Sequence, residues 1–337
     1  MNASSVRLLL PFALSAILLL LLINTLRGEA DQLTAALRSA NWLLIAPAIA
    51  LYFVGVWLRS ARWGLLLPEH AVNTSTLFRA LVVGFTVNNL LPLRMGEIAR
   101  AYLLARWARV SYAATVASLL VERILDGLSL ALLLLVALVL LPSAPAYLWV
   151  VGTVAACGFL AGACVLALAA WRASLLTALA RFVARFFPER FRATVVSAAE
   201  SFARSLALVH DPVRLLRLLG LSLVAWCAEL GLFFVLMFSL GIAGSYPQAL
   251  LVGSAANFAT LLPSSPGYAG TFDAALTKVA QDALSISAGL AGAYDIIVHA
   301  TLFLPVVVVG TLVLWRSHVS FGQLTHAPKP AALQTGV

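Results

Sequence analysis

Four uncharged stretches, Leu8–Leu26, Ser39–Leu58, Gly127–Trp171 and Ile296–Trp315, dominate this chain. A helix rises about 1.5 Å per residue, so roughly 20 apolar residues cross the 30 Å hydrocarbon core of a bilayer. The other constraint is scarcity of charge. Of 337 residues, 10% are charged and 62% hydrophobic, whereas a water-facing domain carries about 25% charged residues. The mean hydropathy of +1.00 agrees. The expectation is an all-α, polytopic membrane protein.

The first apolar run follows Arg7 without a clean small-residue cleavage motif, so a retained helix is expected. Cys157, Cys164 and Cys227 lie in apolar runs at spacings unlike a metal site. Net charge is +9, but the basic residues flank hydrophobic runs, which favours membrane orientation over nucleic acid as a partner.

Full spans are expected between Arg7 and Arg27, between Arg38 and Arg59, and within Val110–Leu141, Tyr147–Ala170, Leu218–Leu240 and Ala283–Trp315. With both termini cytoplasmic, the segments 59–79, 94–109 and 171–217 place fifteen arginines inside. This asymmetry is what the positive-inside rule predicts. The expected location is the inner (cytoplasmic) membrane. The linker at 172–217 has the pattern of an interfacial amphipathic helix, with Phe182, Val183, Phe186 and Phe187. Residues 317–337, with Pro328 and Pro330, read as a flexible tail.

Two apolar stretches are interrupted in similar ways. Val83–Arg100 reads VGFTVNNLLPLRMGEIAR and Val252–Gly270 reads VGSAANFATLLPSSPGYAG. Gly84 precedes Asn88 as Gly253 precedes Asn257, and Pro92 precedes Gly96 as Pro263 precedes Gly267. Pro92, Gly96, Pro263, Pro266, Gly267 and Gly270 are expected to break helices. Such breaks at membrane depth persist only where protein or water satisfies the backbone.

The resulting expectation is about six spans plus two re-entrant hairpins, near 77–109 and 249–282, or eight spans if the hairpins cross. Residues 1–171 contain the first unit. The second begins near 147 and, after the linker, continues through 218–316. Opposite starting orientations make the pair a candidate inverted repeat whose hairpins meet around a shared cavity.

The densest polar group is Asn88, Asn89, Arg94, Glu97 and Arg100, followed by Glu122, Arg123 and Asp126. Glu122 and Asp126 share a helix face. Charges in apolar settings face a bundle interior or a wet cavity. With Asn257, these residues form the candidate substrate site. Arg94, Arg100 and Arg123 are expected to engage an anionic headgroup, since planar guanidinium donors clamp phosphate or carboxylate.

Glu229, Asp273, Asp295 and His299 are candidates for proton or ion coupling. Asp295 and His299 alone do not specify a metal site, and no metal or cofactor is expected. The chain has no Walker-type loop or recognisable catalytic constellation. A transporter without ATPase chemistry is therefore favoured over an enzyme.

At NNLLPLRMGEIAR, VERILDGL and NFATLLPSSPGYAG the chain resembles the lysylphosphatidylglycerol synthase transmembrane-region family, also described as flippase-like. The resemblance spans residues 7–316. It implies movement of a polar or anionic lipid, glycolipid or hopanoid-type lipid between leaflets, with lipid-biosynthesis enzymes as partners. Only 21 residues follow Arg316, so the aminoacyltransferase region of fused members is not expected. Asp273 stands where the pattern looks more like glutamate, and Asp295 where relatives often present arginine. The alternatives are an intramembrane lipid-modifying enzyme and a noncatalytic membrane scaffold.

Overall fold

The computed structural model describes residues 3–67, 72–92, 94–186, 211–262 and 264–325, with scattered positions between 188 and 203. All regular elements among them are helical. Helix α1 is Ala3–Arg27, α2 is Ala30–Ser39 and α3 is Ile45–Leu65. Then come α4 (Thr74–Leu90), α5 (Met95–Ala108), α6 (Tyr112–Leu140), α7 (Ala146–Trp171) and α8 (Ala173–Ala184). The chain continues through α9 (Pro212–Ser239), α10 (Tyr246–Ala259), α11 (Thr271–Leu284), α12 (Ala288–Arg316) and α13 (Phe321–Thr325).

Among the described residues, five stretches are long and apolar enough to cross a membrane: Trp42–Leu65, Ala114–Leu140, Ala146–Leu168, Pro212–Ser239 and Ala288–Arg316. A sixth arises if Phe12–Arg27 and Ala30–Ser39, bent by 88°, form one span. The protein is a multi-pass membrane protein. On α7, Val150, Val154, Leu160, Val165 and Leu168 are all exposed, a belt that water would penalise and hydrocarbon would not.

Local sequence sets the helix starts. Asn73, Ser111, Asp211 and Ser287 cap α4, α6, α9 and α12, each side-chain oxygen accepting from a first-turn amide. Pro212 occupies the first turn of α9, where its missing N–H has no helical partner to lose. The cap also explains why α9 begins before Leu218, carrying Arg214 and Arg217 within the helix.

Two packed pairs organise the centre. Along α3 and α9, Gly55 allows close approach, since a Cβ there would lie 3.1 Å from the Ala225 carbonyl. Helices α4 and α5 close still more tightly: a Cβ on Gly96 would sit 1.9 Å from the Gly84 carbonyl oxygen. Only glycine fits there. Asn88 Oδ1 accepts from Gly96 N at 2.8 Å and caps this return.

The segment after α12 is docked at its start. Val319 and Leu324 are buried in the cluster containing Leu103 and Leu104. The tail expected over 317–337 therefore begins with a packed segment, and residues 326–337 lie outside the described residues. In the linker, α8 exposes Leu179, Phe182 and Val183, and Phe186 beyond it is also exposed. Phe187 and most of 190–210 lie outside the described residues.

Candidate functional site

The two interrupted segments meet. Arg94, at the bend between α4 and α5, donates from Nη2 to the Thr260 carbonyl at the end of α10, 2.6 Å away. Its backbone is left-handed, with φ 53°, which lets the chain turn directly into α5. Gly267, also left-handed, packs against Phe303, and Gly270 begins α11 at φ 92°. Gly267 and Gly270 thus lie at helix breaks, whereas Gly96, expected to break a helix, is the second residue of α5 and the break falls at Arg94. Pro92 and Pro266 occupy the same bends, and Pro263 lies outside the described residues.

Between the hairpins and helices α3, α6, α9 and α12 lies a cavity of about 310 Å³. Asn88, Asn89, Arg94, Glu97, Glu122, Arg123, Asp126 and Asn257 line it, as do Glu229 and His299. Of the residues expected to bind substrate, Arg100 is the exception. It is 1% exposed and forks onto Glu122, Nη1 to Oε1 at 2.8 Å and Nη2 to Oε2 at 2.9 Å. Its guanidinium also stacks 4.0 Å from the Trp63 ring centroid.

Beside the cavity, buried charges alternate in sign. Arg62 donates to Asp126 and to the Ser222 hydroxyl, both at 2.6 Å. Asp126 also accepts from Trp226 Nε1 at 3.1 Å. Glu122 has Arg62 at 4.0 Å as a second partner and Arg123 at 3.2 Å as a third, and Arg123 reaches Glu97 at 3.6 Å. Arg59 pairs with Glu229 and lies 4.2 Å over the Trp226 ring. A buried ion needs such partners, because an isolated one loses several kcal/mol of hydration.

Arg59, Arg62, Arg100 and Arg123 are thus matched by Glu97, Glu122, Asp126 and Glu229. Arg94 stands apart. Among the described residues no carboxylate oxygen lies within 4.0 Å of it. It has the Thr260 carbonyl and, 5.9 Å away, the Tyr268 ring. A guanidinium has five N–H donors, leaving capacity for an anion in the cavity.

Asn88 and Asn257 are partly committed to backbone, to Gly96 N and, at 2.9 Å, to the Gly253 carbonyl. Asp273 and Asp295 do not line the cavity, but they surround His299, whose ring does. The three residues offer a ligand-like cluster, which the Asp295 and His299 pair alone did not specify.

The charge pattern predicts Arg59 and Arg62 in a positively charged inner segment. They are instead 4% and 0% exposed on α3. A signal was present: Tyr52, Val56, Arg59 and Trp63 recur at four, three and four residues, which puts them on one helix face. The aromatic lining from Tyr52, Trp226 and Tyr268 had no comparable signal, because its members come from distant segments.

The family model for the lysylphosphatidylglycerol synthase TM region matches residues 8–310. This chain belongs to that family. It is similar to Glycosyltransferase AglD of Haloferax volcanii, 27% identical over 315 residues, covering 84% of this chain and 50% of the relative. It is also similar to a UPF0104 membrane protein of Methanothermobacter thermautotrophicus, 32% identical over 103 residues, covering 29% of this chain and 30% of that protein. The chain therefore spans half or less of these curated relatives. No solved structure matches it. For this lysylphosphatidylglycerol synthase TM-region member, the family and the membrane-crossing helices together point to lipid as its working environment.

Proposed function

We propose that the protein is a lipid translocase that shelters an anionic or polar headgroup in the cavity between its two hairpins while the acyl chains remain in the bilayer. Arg94 carries this reading: it is a cavity-lining cation with no carboxylate partner among the described residues. A headgroup crossing bare hydrocarbon loses its hydrogen bonds to water. Arg94, Asn89 and the Asn257 amide offer replacements, and Tyr52 and Tyr268 give amphipathic walls. The lipid class is a phospholipid, glycolipid or hopanoid-type lipid with a polar head.

In this proposal the units 1–171 and 147–316 are an inverted repeat, and α4–α5 and α10–α11 are re-entrant hairpins entering from opposite faces. Both termini are cytoplasmic at the cell membrane. Glu229 and the Asp273, Asp295 and His299 group are the places where a proton or ion gradient would couple to transport, and lipid-biosynthesis enzymes would supply the substrate. Sealed proteoliposomes containing a panel of headgroups, with pH and ion gradients imposed separately, test activity and coupling together. Headgroup-selective movement supports the proposal, and no movement for any headgroup refutes it.

A second reading follows from the relative named as a glycosyltransferase and from the cavity-facing Glu97, an acid–base candidate. Under it, the protein modifies a lipid. Product formed in detergent micelles, where there are no leaflets to cross, would favour this enzyme reading.

A further inference from the structure

Helix geometry brings three metal-ligand side chains from two elements together. Asp295 and His299 are four residues apart on α12 and share a face. Asp273, in the first turn of α11, is fixed by accepting from Gly270 N at 2.6 Å. Its other oxygen, Oδ1, contacts His299 Nδ1. One ligand atom from each of Asp273, Asp295 and His299 lies within 4.8 Å of the others.

The electrostatics of this group differ from those of the arginine network. Asp273 and Asp295 are 7% and 4% exposed, yet among the described residues neither has an arginine or lysine nitrogen within 4.0 Å. Asp295 Oδ1 is fully buried without a hydrogen-bond partner. One turn beyond Asp273, the buried Thr277 hydroxyl also has none. Two carboxylates so close together in an apolar interior require a compensating cation or proton.

The donor types discriminate among cations. Two carboxylate oxygens and an imidazole nitrogen suit a first-row divalent ion, whereas calcium and magnesium favour all-oxygen shells. We propose that Asp273, Asp295 and His299 form a binding site for a divalent transition-metal ion of the zinc class. Because the His299 ring lines the cavity, the ion would sit behind its wall. This assignment does not depend on lipid translocation, and a resident ion there would leave Glu229 as the coupling candidate.

Metal content of the purified full chain in detergent tests it, after chelator stripping and dialysis against Zn²⁺. The expected result is about one zinc per chain, lost in Asp295→Asn and His299→Gln and retained in Asp31→Asn, which alters an exposed carboxylate on α2. Co²⁺ should give visible ligand-field bands with the unsubstituted protein and not with His299→Gln. If Asp295→Asn fails to fold, a chelator-reversible rise in melting temperature with Zn²⁺ in the unsubstituted chain, abolished in His299→Gln, gives the same answer. Zinc far below one per chain, or zinc retained by both site variants, would overturn the proposal and leave protons as the compensating charge.

Discussion

Arg94 reaches across from the first hairpin to the Thr260 carbonyl of the second, at 2.6 Å. One side chain therefore joins the two interrupted segments and faces the cavity between them. Arg100, only six residues away in sequence, is buried against Glu122 and does not line that cavity. The two arginines should respond differently to substitution.

Arg94→Ala is expected to weaken binding of an anionic-headgroup lipid by at least ~10-fold, about 1.4 kcal/mol, with near-normal protein abundance. Arg100→Ala is expected to lower folded yield, because the buried Glu122 carboxylate loses its two shortest hydrogen bonds. Lipid-binding titrations beside size-exclusion profiles separate the two effects. Equal behaviour of the variants would contradict the division.

Glu229→Leu leaves Arg59 buried and unpaired, and should reduce stability by about 3–5 kcal/mol. The double substitution Arg59→Met with Glu229→Leu should recover much of that loss, since both charges leave together. Thermal unfolding in detergent compares the single and double variants. A double variant no more stable than Glu229→Leu would argue against direct pairing.

Gly96→Ala should disrupt the α4–α5 return, because its Cβ would fall 1.9 Å from the Gly84 carbonyl oxygen. Gly158→Ala, with open space around the position, should have little effect. Monodispersity and melting temperature provide the comparison.

Hairpin topology is accessible to impermeant thiol reagents once the native cysteines are replaced by serine. In sealed, oriented vesicles Ser75→Cys and Arg106→Cys should label from one side, and Ala243→Cys and Lys278→Cys both from the other. Labelling of either pair from opposite sides would mean that the segment crosses fully.

The helices were legible because apolar length is a local property. Val110–Leu141 and Tyr147–Ala170 anticipated α6 and α7 closely, with Pro142 and Pro145 marking their turn. The boundary of α9 was less visible, because Asp211 caps a turn that carries two arginines before the apolar run begins.

Site legibility followed the same physics. Asn88, Arg94, Glu97, Glu122, Arg123 and Asp126 stood out as charges and amides in apolar surroundings, and all line the cavity. Arg59 and Arg62 did not, because arginines near a span end have a simpler reading in membrane orientation. Their burial depends on Glu229, Asp126 and Ser222, which are far along the chain. The Asp273 contact to His299 is likewise a tertiary fact that spacing could not supply.

The most direct test is leaflet-resolved movement of an anionic-headgroup lipid in sealed proteoliposomes, comparing unsubstituted protein with Arg94→Ala at equal incorporation. The account predicts movement well above protein-free vesicles for the unsubstituted chain and a fall to near background for Arg94→Ala. Equal movement by the two proteins, or none by either for any headgroup tested, would contradict it.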